Sequence, residues 1–173
     1  MPMATLSILY ATATQQAFTA SAILSDTGFS TGRAGTPFSN ATYLYVDVLF
    51  SGVIKTATSL TLNSQIQVWV AANKNGATNL TANCPTAEGA FTPGGETALM
   101  QLAHSVNVTS TATTSERQWD FGPISIASLY GGTLPQHFNF YVVHNTQATG
   151  AGLATSTATS HWFTFQGVNY TSA

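Results

Sequence analysis

The residue types that most often perform chemistry are scarce in this 173-residue chain, and their spacing matches no reactive pattern. Zinc-binding spacings such as HxH, HExxH or a paired-cysteine motif are absent around the four histidines, which are His104, His137, His144 and His161. His137 and His144 are seven residues apart, and this odd offset would place them on opposite faces of one strand. We therefore predict no metal site and interpret the histidines as surface or interface residues.

Covalent and acid–base catalysis also lack a recognisable set of residues. The chain has no GxSxG motif, and its single cysteine, Cys84, precedes Pro85 in a polar segment without a nearby His/Asn pattern. The pool of acids is small: Glu116 and Asp120 lie in one segment, whereas Asp47 falls within a predicted strand. We predict no catalytic residue and no cofactor, so the chain is not expected to be an enzyme.

Ionised side chains are rare, at 6% of the residues against roughly a quarter in an average soluble domain. The net charge is −2 and the four cations are scattered, so no basic surface for nucleic acid is expected. A surface of threonine, serine, asparagine and glutamine costs little to desolvate, because these groups can find hydrogen-bond partners across an interface. The composition favours a protein that is covered by neighbours in an assembly or that is secreted.

Two further features bear on where the protein is made. A lone cysteine cannot form a disulfide within the chain, and residues 1–6 show neither the basic nor the continuous apolar stretch of a signal peptide. No apolar run reaches the roughly 18 residues that a transmembrane helix needs. We expect synthesis in a cytoplasm, no membrane insertion and, given the low charge, self-assembly into a particle.

Alternation of apolar and polar residues, the signature of half-buried strands, dominates the chain. It is clearest in residues 43–50, 65–70 and 137–143, and weaker in residues 6–10, 18–24, 106–108 and 163–165. The side chains predicted to face the core are Leu44, Val46, Val48 and Phe50, then Ile66, Val68 and Val70, then Phe138, Phe140 and Val142. In the third segment, the side chains predicted to face outward are His137, Asn139 and Tyr141.

Helical spacing of apolar residues is missing, and clusters of glycine, proline and asparagine separate the alternating segments. Only residues 96–103 leave the choice open between a short helical turn and a strand that runs on to Val108. The spacing of the breakers predicts an all-β fold, a single antiparallel β-sandwich of the jelly-roll type with about eight strands. We predict one domain over residues 1–173, in which residues 1–35 could form a peripheral N-terminal arm.

Aromatic residues at outward or ambiguous positions and two long loops are the candidates for contacts with a partner. The loops cover residues 78–95 and 109–117. The predicted interface residues are Trp69, Cys84, Phe91, Arg117, Trp119 and Trp162. For Trp69 three interpretations remain open, namely an interface, the core of a second sheet face, and contact with a sugar.

From Tyr43 to its C-terminus the chain resembles a family of small β-sandwich virion proteins encoded among the structural genes of tailed bacteriophages. The matching segments are the strand 65–70 (QIQVWV), the Asn75-Gly76 turn with the long loop after it, segment 119–123 (WDFGP), the Gly-Gly/Leu-Pro turn at 131–135, segment 138–146 (FNFYVVHNT) and a small-residue segment through Ala158. The resemblance covers about three quarters of the chain and includes no catalytic motif.

The resemblance implies a particle component, such as a capsid decoration (cement) protein or a subunit associated with the head or tail. The implied partners are the major capsid protein or other virion proteins, and the implied location is the virion, after synthesis in the host bacterial cytoplasm. We expect a homo-oligomer, either a dimer or a trimer, held by weak contacts that symmetry repeats. The alternative is a tail- or fibre-associated module that binds a carbohydrate or a receptor through Trp69 and Trp162.

Overall fold

The computed structural model describes residues 6–19, 22–56, 60–73, 85, 87–93, 100–109, 117–147, 153 and 162–172. Within these residues it contains eleven strands and one short helix. The strands are β1 (Leu6–Tyr10), β2 (Thr14–Gln16), β3 (Gly32–Ala34), β4 (Phe38–Ser39), β5 (Asp47–Thr56), β6 (Gln65–Asn73), β7 (Gly89–Phe91), β8 (Met100–Asn107), β9 (Arg117–Ser125), β10 (His137–His144) and β11 (Trp162–Ser172). The helix α1 covers Ile126–Leu129, between β9 and β10.

The strands form two antiparallel sheets. Sheet 1 has the order β1-β11-β5-β9, and β2 also pairs with β11. Sheet 2 has the order β7-β3-β10-β6-β8, and β4 also pairs with β10. The predicted all-β antiparallel sandwich is therefore confirmed. More strands are found than the predicted eight because β2, β3, β4 and β7 have only two or three residues, too few to show alternation.

The main core lies between the two sheets and is rich in phenylalanine. Its members from the long strands include Val48, Phe50, Ile54, Ile66, Val68, Val70, Phe138, Phe140, Val142, Phe163 and Phe165. The Phe140 ring lies 4.6 Å from that of Phe163 and 5.4 Å from that of Phe50, measured between ring centroids across the sheets. The predicted core positions in β6 and β10 are confirmed, as are Val48 and Phe50 in β5.

The prediction is wrong at the start of the first alternating segment. β5 begins at Asp47, and Leu44 and Val46 are 71% and 40% exposed. The chain turns before the strand: Leu44 has a φ of +53°, and the Asn40 side chain holds Tyr45 by accepting its N–H and donating to its carbonyl. Apolar residues continue to alternate through this turn, so periodicity could not locate the first residue of the strand.

Strand β10 is buried on both faces, which the sequence analysis did not anticipate. All eight of its residues are buried, including His137, Asn139 and Tyr141, for which an outward position was predicted. A second apolar cluster covers the outer face and consists of Ala34, Ala71, Phe91, Met100, Tyr141 and Val143. The prediction that this side of β10 faces solvent is wrong, because apolar side chains of β3, β6, β7 and β8 pack around Tyr141 and Val143 there.

Three local predictions can also be compared with the structure. The described part of residues 18–24 forms no extended strand, although Phe18 and Ile23 are buried in the main core. Helix α1 was not predicted, and it is capped by Ser125, whose side chain accepts the Ser128 N–H. The choice left open for residues 96–103 is decided for residues 100–103, which belong to strand β8.

Candidate interaction surfaces

Two of the predicted interface residues, Trp69 and Phe91, lie on the outer face of sheet 2. Phe91 is 9% exposed and belongs to the second cluster, where its ring meets that of Tyr141 edge-on at 5.5 Å. Trp69 is half-buried against that cluster, and its indole N–H donates to the Gln67 side-chain oxygen at 3.1 Å. Trp69 also lines a cleft of about 140 Å³, the Trp69 cleft, together with Phe29, Gln67, Pro93, Met100 and Tyr141.

Trp119 and Trp162 lie on sheet 1. Trp119 pairs with Ile54 and packs against the main core, whereas Trp162 pairs with Val53 and is 42% exposed. Cross-strand partners share a face, and Ile54 and Val53 are adjacent on β5, so the two tryptophans point to opposite faces of the sheet. They cannot contribute to one flat interface.

The last two predicted interface residues are Arg117 and Cys84. Arg117 is the first residue of β9, and its carbonyl accepts the Thr56 hydroxyl at 3.4 Å. Cys84 lies outside the described residues, as do most residues of the predicted contact loops 78–95 and 109–117. The five predicted residues that are described are therefore distributed over different faces of the two sheets.

The most exposed strand is β1, which pairs with the last part of β11. β1 follows residues 168–172, whereas β5 accompanies β11 only as far as Val168. Residues 6–10 and 168–172 thus form a two-stranded extension of the sandwich, here called the ribbon. All five residues of β1 are exposed. The large apolar residues of the ribbon that expose more than half of their surface are Leu6, Ile8, Leu9, Tyr10 and Tyr170.

The segment before β5 leaves the sandwich at the same end as the ribbon, since the Val46 N–H donates to the Val168 carbonyl at 3.0 Å. Of twelve large apolar side chains that are exposed in the described part of the chain, eight lie at this end. They are called the apolar end and are Leu6, Ile8, Leu9, Tyr10, Tyr43, Leu44, Val46 and Tyr170. The nearby Asp47 carboxylate accepts the Ala127 N–H at 2.9 Å and so points towards helix α1.

Sequence reasoning missed the apolar end, although one signal was present. Strand β1 contains three consecutive apolar residues, Ile8, Leu9 and Tyr10, so both of its faces carry large apolar side chains. Such a pattern is typical of a strand that is buried on both sides. The exposure of β1 follows instead from its pairing with the part of β11 that β5 does not reach, which a local pattern does not reveal.

A groove of about 400 Å³ opens between β2 of sheet 1 and β4 of sheet 2. The described residues that line it carry no carboxylate, ammonium or guanidinium group and are Thr12, Thr14, Gln16, Pro37, Phe38, Ser39, Thr42, Tyr43, Tyr45, Phe165 and Gly167. The rings of Tyr43 and Tyr45 are stacked at 5.3 Å with 3° between their planes. Gly167 makes room for Tyr45, because a Cβ at this position would lie 2.4 Å from that ring. We call this site the tyrosine groove.

Two carboxylates organise loops within the fold. Hydrogen bonds from the Ser30 hydroxyl and from neighbouring backbone N–H groups lower the pKa of Asp26 to about 2. Glu88 accepts hydrogen bonds from the Arg33 guanidinium, one of them at 2.8 Å, and this contact lowers the pKa of Glu88. Both acids therefore stabilise the local structure of these loops.

The interpretation of the histidines as surface or interface residues is wrong for His137 and His144, which are both buried. The Nε2–H of His144 donates to the Ile23 carbonyl at 3.0 Å, and its Nδ1 accepts from Thr146. Burial lowers the pKa of His144, so the ring is neutral within the fold. In the described part of the chain, no three or more His, Cys, Asp or Glu residues are grouped to hold a metal ion.

Comparisons with known proteins identify no close relative. No profile of a known protein family matches the chain, and no curated protein matches it. A solved chain from Desmodium yellow mottle tymovirus is similar at 16% sequence identity, over 98% of this chain and 89% of that chain, with a TM-score of 0.28. A TM-score of this size supports no conclusion about this protein. No helix among the described residues is both long and apolar enough to cross a membrane.

Proposed function

We propose that this protein is a structural subunit of a tailed-bacteriophage particle, specifically a decoration (cement) protein that binds the major capsid protein. The observation that carries the proposal is the apolar end, which gathers eight of the twelve exposed large apolar side chains of the described residues. Large apolar side chains gathered at one end of a protein in water typically mark a place that another protein covers. Assembly into a shell would cover it.

Repetition explains how a small chain can hold to a shell. Burying one exposed apolar side chain contributes on the order of 1 kcal/mol, and the cost of association offsets much of this for a single copy. A symmetric shell repeats the same contact, so weak contacts act together. The low charge supports this role, because only 6% of the residues are Asp, Glu, Lys or Arg and few charged groups would have to lose their water.

We place the contact with the capsid at the Trp69 cleft. Large aromatic side chains seated in clefts supply much of the binding energy in protein interfaces, and Trp69 is half-buried in such a position. The cleft is also bordered by Pro93, which belongs to the predicted contact loop 78–95. Trp69→Ala should weaken binding to capsid shells at least about tenfold, since a lost hot-spot residue costs more than about 1.4 kcal/mol. Trp162→Ala, on sheet 1, is the matched control and should bind normally.

The proposal is tested by counting the protein in purified virions by quantitative mass spectrometry. A shell protein repeated by symmetry should be present in hundreds of copies, whereas about a dozen or fewer would indicate a tail position. Particles that lack the protein should release their genome at a lower temperature than complete particles. Absence of the protein from virions, together with unchanged heat resistance, would refute the proposal.

The tyrosine groove favours a second candidate function, binding of a neutral carbohydrate by a tail- or fibre-associated module. Tyr43 is 57% exposed and offers an aromatic surface beside the hydroxyl groups of Thr12, Thr14 and Thr42. A concave site that combines aromatic surface with a few polar groups is typical of small-ligand binding. The Asn40 side chain holds this loop in place through two hydrogen bonds to Tyr45.

Titration with a panel of neutral oligosaccharides, followed by NMR, tests the second function. Shifts should appear at residues of the tyrosine groove, and Tyr43→Ala should abolish them. Tyr10→Ala is the matched control, because Tyr10 is 55% exposed and does not line the groove. A panel without response would leave the structural role as the better proposal.

A further inference from the structure

We infer that the ribbon is a contact between two copies of this chain, which pack the same face of their ribbons together about a two-fold axis. The inference rests on the proposed function and deepens it, by naming a partner for the ribbon, which is one part of the apolar end. It is carried by the pairing of β1 with residues 168–172 and by the exposure of the side chains on this pair.

The two faces of the ribbon differ in chemistry. Cross-strand partners share a face, which places one set of residues together on the apolar side: Leu6, Ile8, Tyr10, Val168 and Tyr170. The opposite side is mixed and carries Ser7, Leu9, Asn169 and Thr171. A ribbon with one apolar face is built to pack by that face.

The apolar face of the ribbon needs a cover. Two paired strands are marginally stable in water unless a face packs against another element. Ile8 is nevertheless 58% exposed and Tyr170, its cross-strand partner, 55% exposed, so no described element of the same copy covers them. The main core ends before this point, since β5 pairs with β11 only up to Val168.

A second copy is the occupant that best matches the charge of this surface. Residues 6–19 and 162–172 contain no Asp, Glu, Lys or Arg. A partner with a charged surface would lose hydration and gain no ion pair here. An identical ribbon brings an identical neutral, apolar face, and a two-fold axis makes the contact complementary to itself.

The area of the apolar face suits a weak, reversible dimer. Its large side chains that are more than half exposed are Leu6, Ile8, Tyr10 and Tyr170. At on the order of 100 Å² each, these four present roughly 400 Å² per copy, about half of the roughly 800 Å² that each partner contributes to a standard stable interface and within the range of weak contacts. Packing of two ribbons would form a small two-layer structure at the contact, with the layers about 10 Å apart.

The test compares two substitutions on the same strand by sedimentation equilibrium of the purified full chain. Ile8→Lys places a charge at the centre of the apolar face, and Leu9→Lys places it on the mixed face at nearly equal exposure, 58% against 56%. We expect the unchanged protein to dimerise, Ile8→Lys to raise the dimer dissociation constant at least about 30-fold, and Leu9→Lys to change it less than about threefold.

A cross-linking test keeps the inference open to refutation if Ile8→Lys fails to fold. In a Cys84→Ser background, a bifunctional thiol reagent with a reach of about 10 Å should link two copies through Ile8→Cys, and Leu9→Cys should remain unlinked. A monomeric unchanged protein, equal effects of the two lysines, or equal cross-linking of the two cysteines would overturn the inference. A monomer that is still found in virions would leave the proposed function standing, and a dimer that is absent from virions would overturn only the proposed function.

Discussion

Strands β10 and β1 both contain consecutive apolar residues, yet β10 is buried and β1 is exposed to solvent. Every residue of β10 is buried, whereas every residue of β1 is exposed. β10 lies inside sheet 2, between β6 on one side and β3 with β4 on the other. β1 lies at the edge of sheet 1, on a part of β11 that beyond Val168 has no other partner among the described strands. The position of a strand in its sheet, more than its own sequence, decides which of its faces meet water.

The largest effect is expected where the buried strand meets the opposite sheet. Phe140→Ala should lower the free energy of unfolding by about 3–5 kcal/mol, because it removes a ring that packs against Phe18, Phe50 and Phe163 and leaves a cavity. Urea denaturation at equilibrium measures this. A loss below about 1 kcal/mol would show that the core relaxes around the cavity and that β10 is less central than its burial indicates.

A smaller loss in the free energy of unfolding is expected when an added methyl group overfills the core beside Phe140. Gly35→Ala would place a Cβ 2.0 Å from Cε1 of Phe140, so the ring or the backbone must move. The free energy of unfolding should fall by about 1–3 kcal/mol in the same assay. Gly89→Ala is the control, because a Cβ there meets no atom within 4 Å, and it should leave stability nearly unchanged. Equal stability of the two variants would contradict the tight packing around Phe140.

Acidic pH should lower the free energy of unfolding through protonation of His144, the last residue of β10. Burial lowers the pKa of His144 in the folded protein below its ordinary value of 6.5, so the unfolded chain binds the proton more readily. Stability is complete above about pH 6.5 and falls as the pH drops below it, by up to about 1.4 kcal/mol per pH unit. Burial lowers the pKa of His104 as well, and this acts in the same direction.

The pH dependence is measured as the free energy of unfolding at about pH 7 and about pH 5.5. His144→Gln should reduce the difference between the two values, whatever it does to stability at neutral pH. Since protonated Nδ1 can no longer accept from Thr146, the loss in the unchanged protein includes this contact. An identical pH dependence in the variant would assign the effect to other groups.

The smallest effect is expected on the mixed face of the ribbon. Leu9→Ala removes a side chain that is 56% exposed, so the free energy of unfolding should change by less than about 0.5 kcal/mol. Urea denaturation of Leu9→Ala and Phe140→Ala in parallel compares the loss in the free energy of unfolding at an exposed position of β1 with that at a buried position of β10. A loss above about 1 kcal/mol would mean that this face is covered and would remove the contrast with β10.

The sequence predicted which segments form strands better than it predicted which faces and ends of those strands are buried. Alternation identified β6, β10 and residues 47–50 of β5, because buried apolar side chains such as Val68 and Phe140 recur there at every second position. It misplaced Leu44 because the turn made by Asn40 depends on hydrogen bonds to Tyr45 and leaves apolar spacing unchanged. It missed the second cluster because residues of five separate strands come together there.

The candidate surfaces were predictable only in part. Trp69 does line a cleft, and its type and position made it a reasonable choice. Trp119 and Trp162 looked equivalent in the sequence, yet they pair with adjacent residues of β5 and therefore point to opposite faces of sheet 1. The apolar end and the tyrosine groove join residues near 6–16 with residues near 43 and 168, and one sequence without contacts cannot show that these segments meet.

Strand β11 pairs with β1, β2 and β5, although it is the last of the described strands to be synthesised. On the ribosome, Leu6 is made long before its partner Ser172, and the rings of Phe163 and Phe165 are missing from the core throughout that time. Sheet 1 therefore closes only after translation has passed residue 172, and until then its unpaired edges and half-filled interior are open to aggregation. Slower synthesis at low temperature, or added chaperones, should raise the soluble yield.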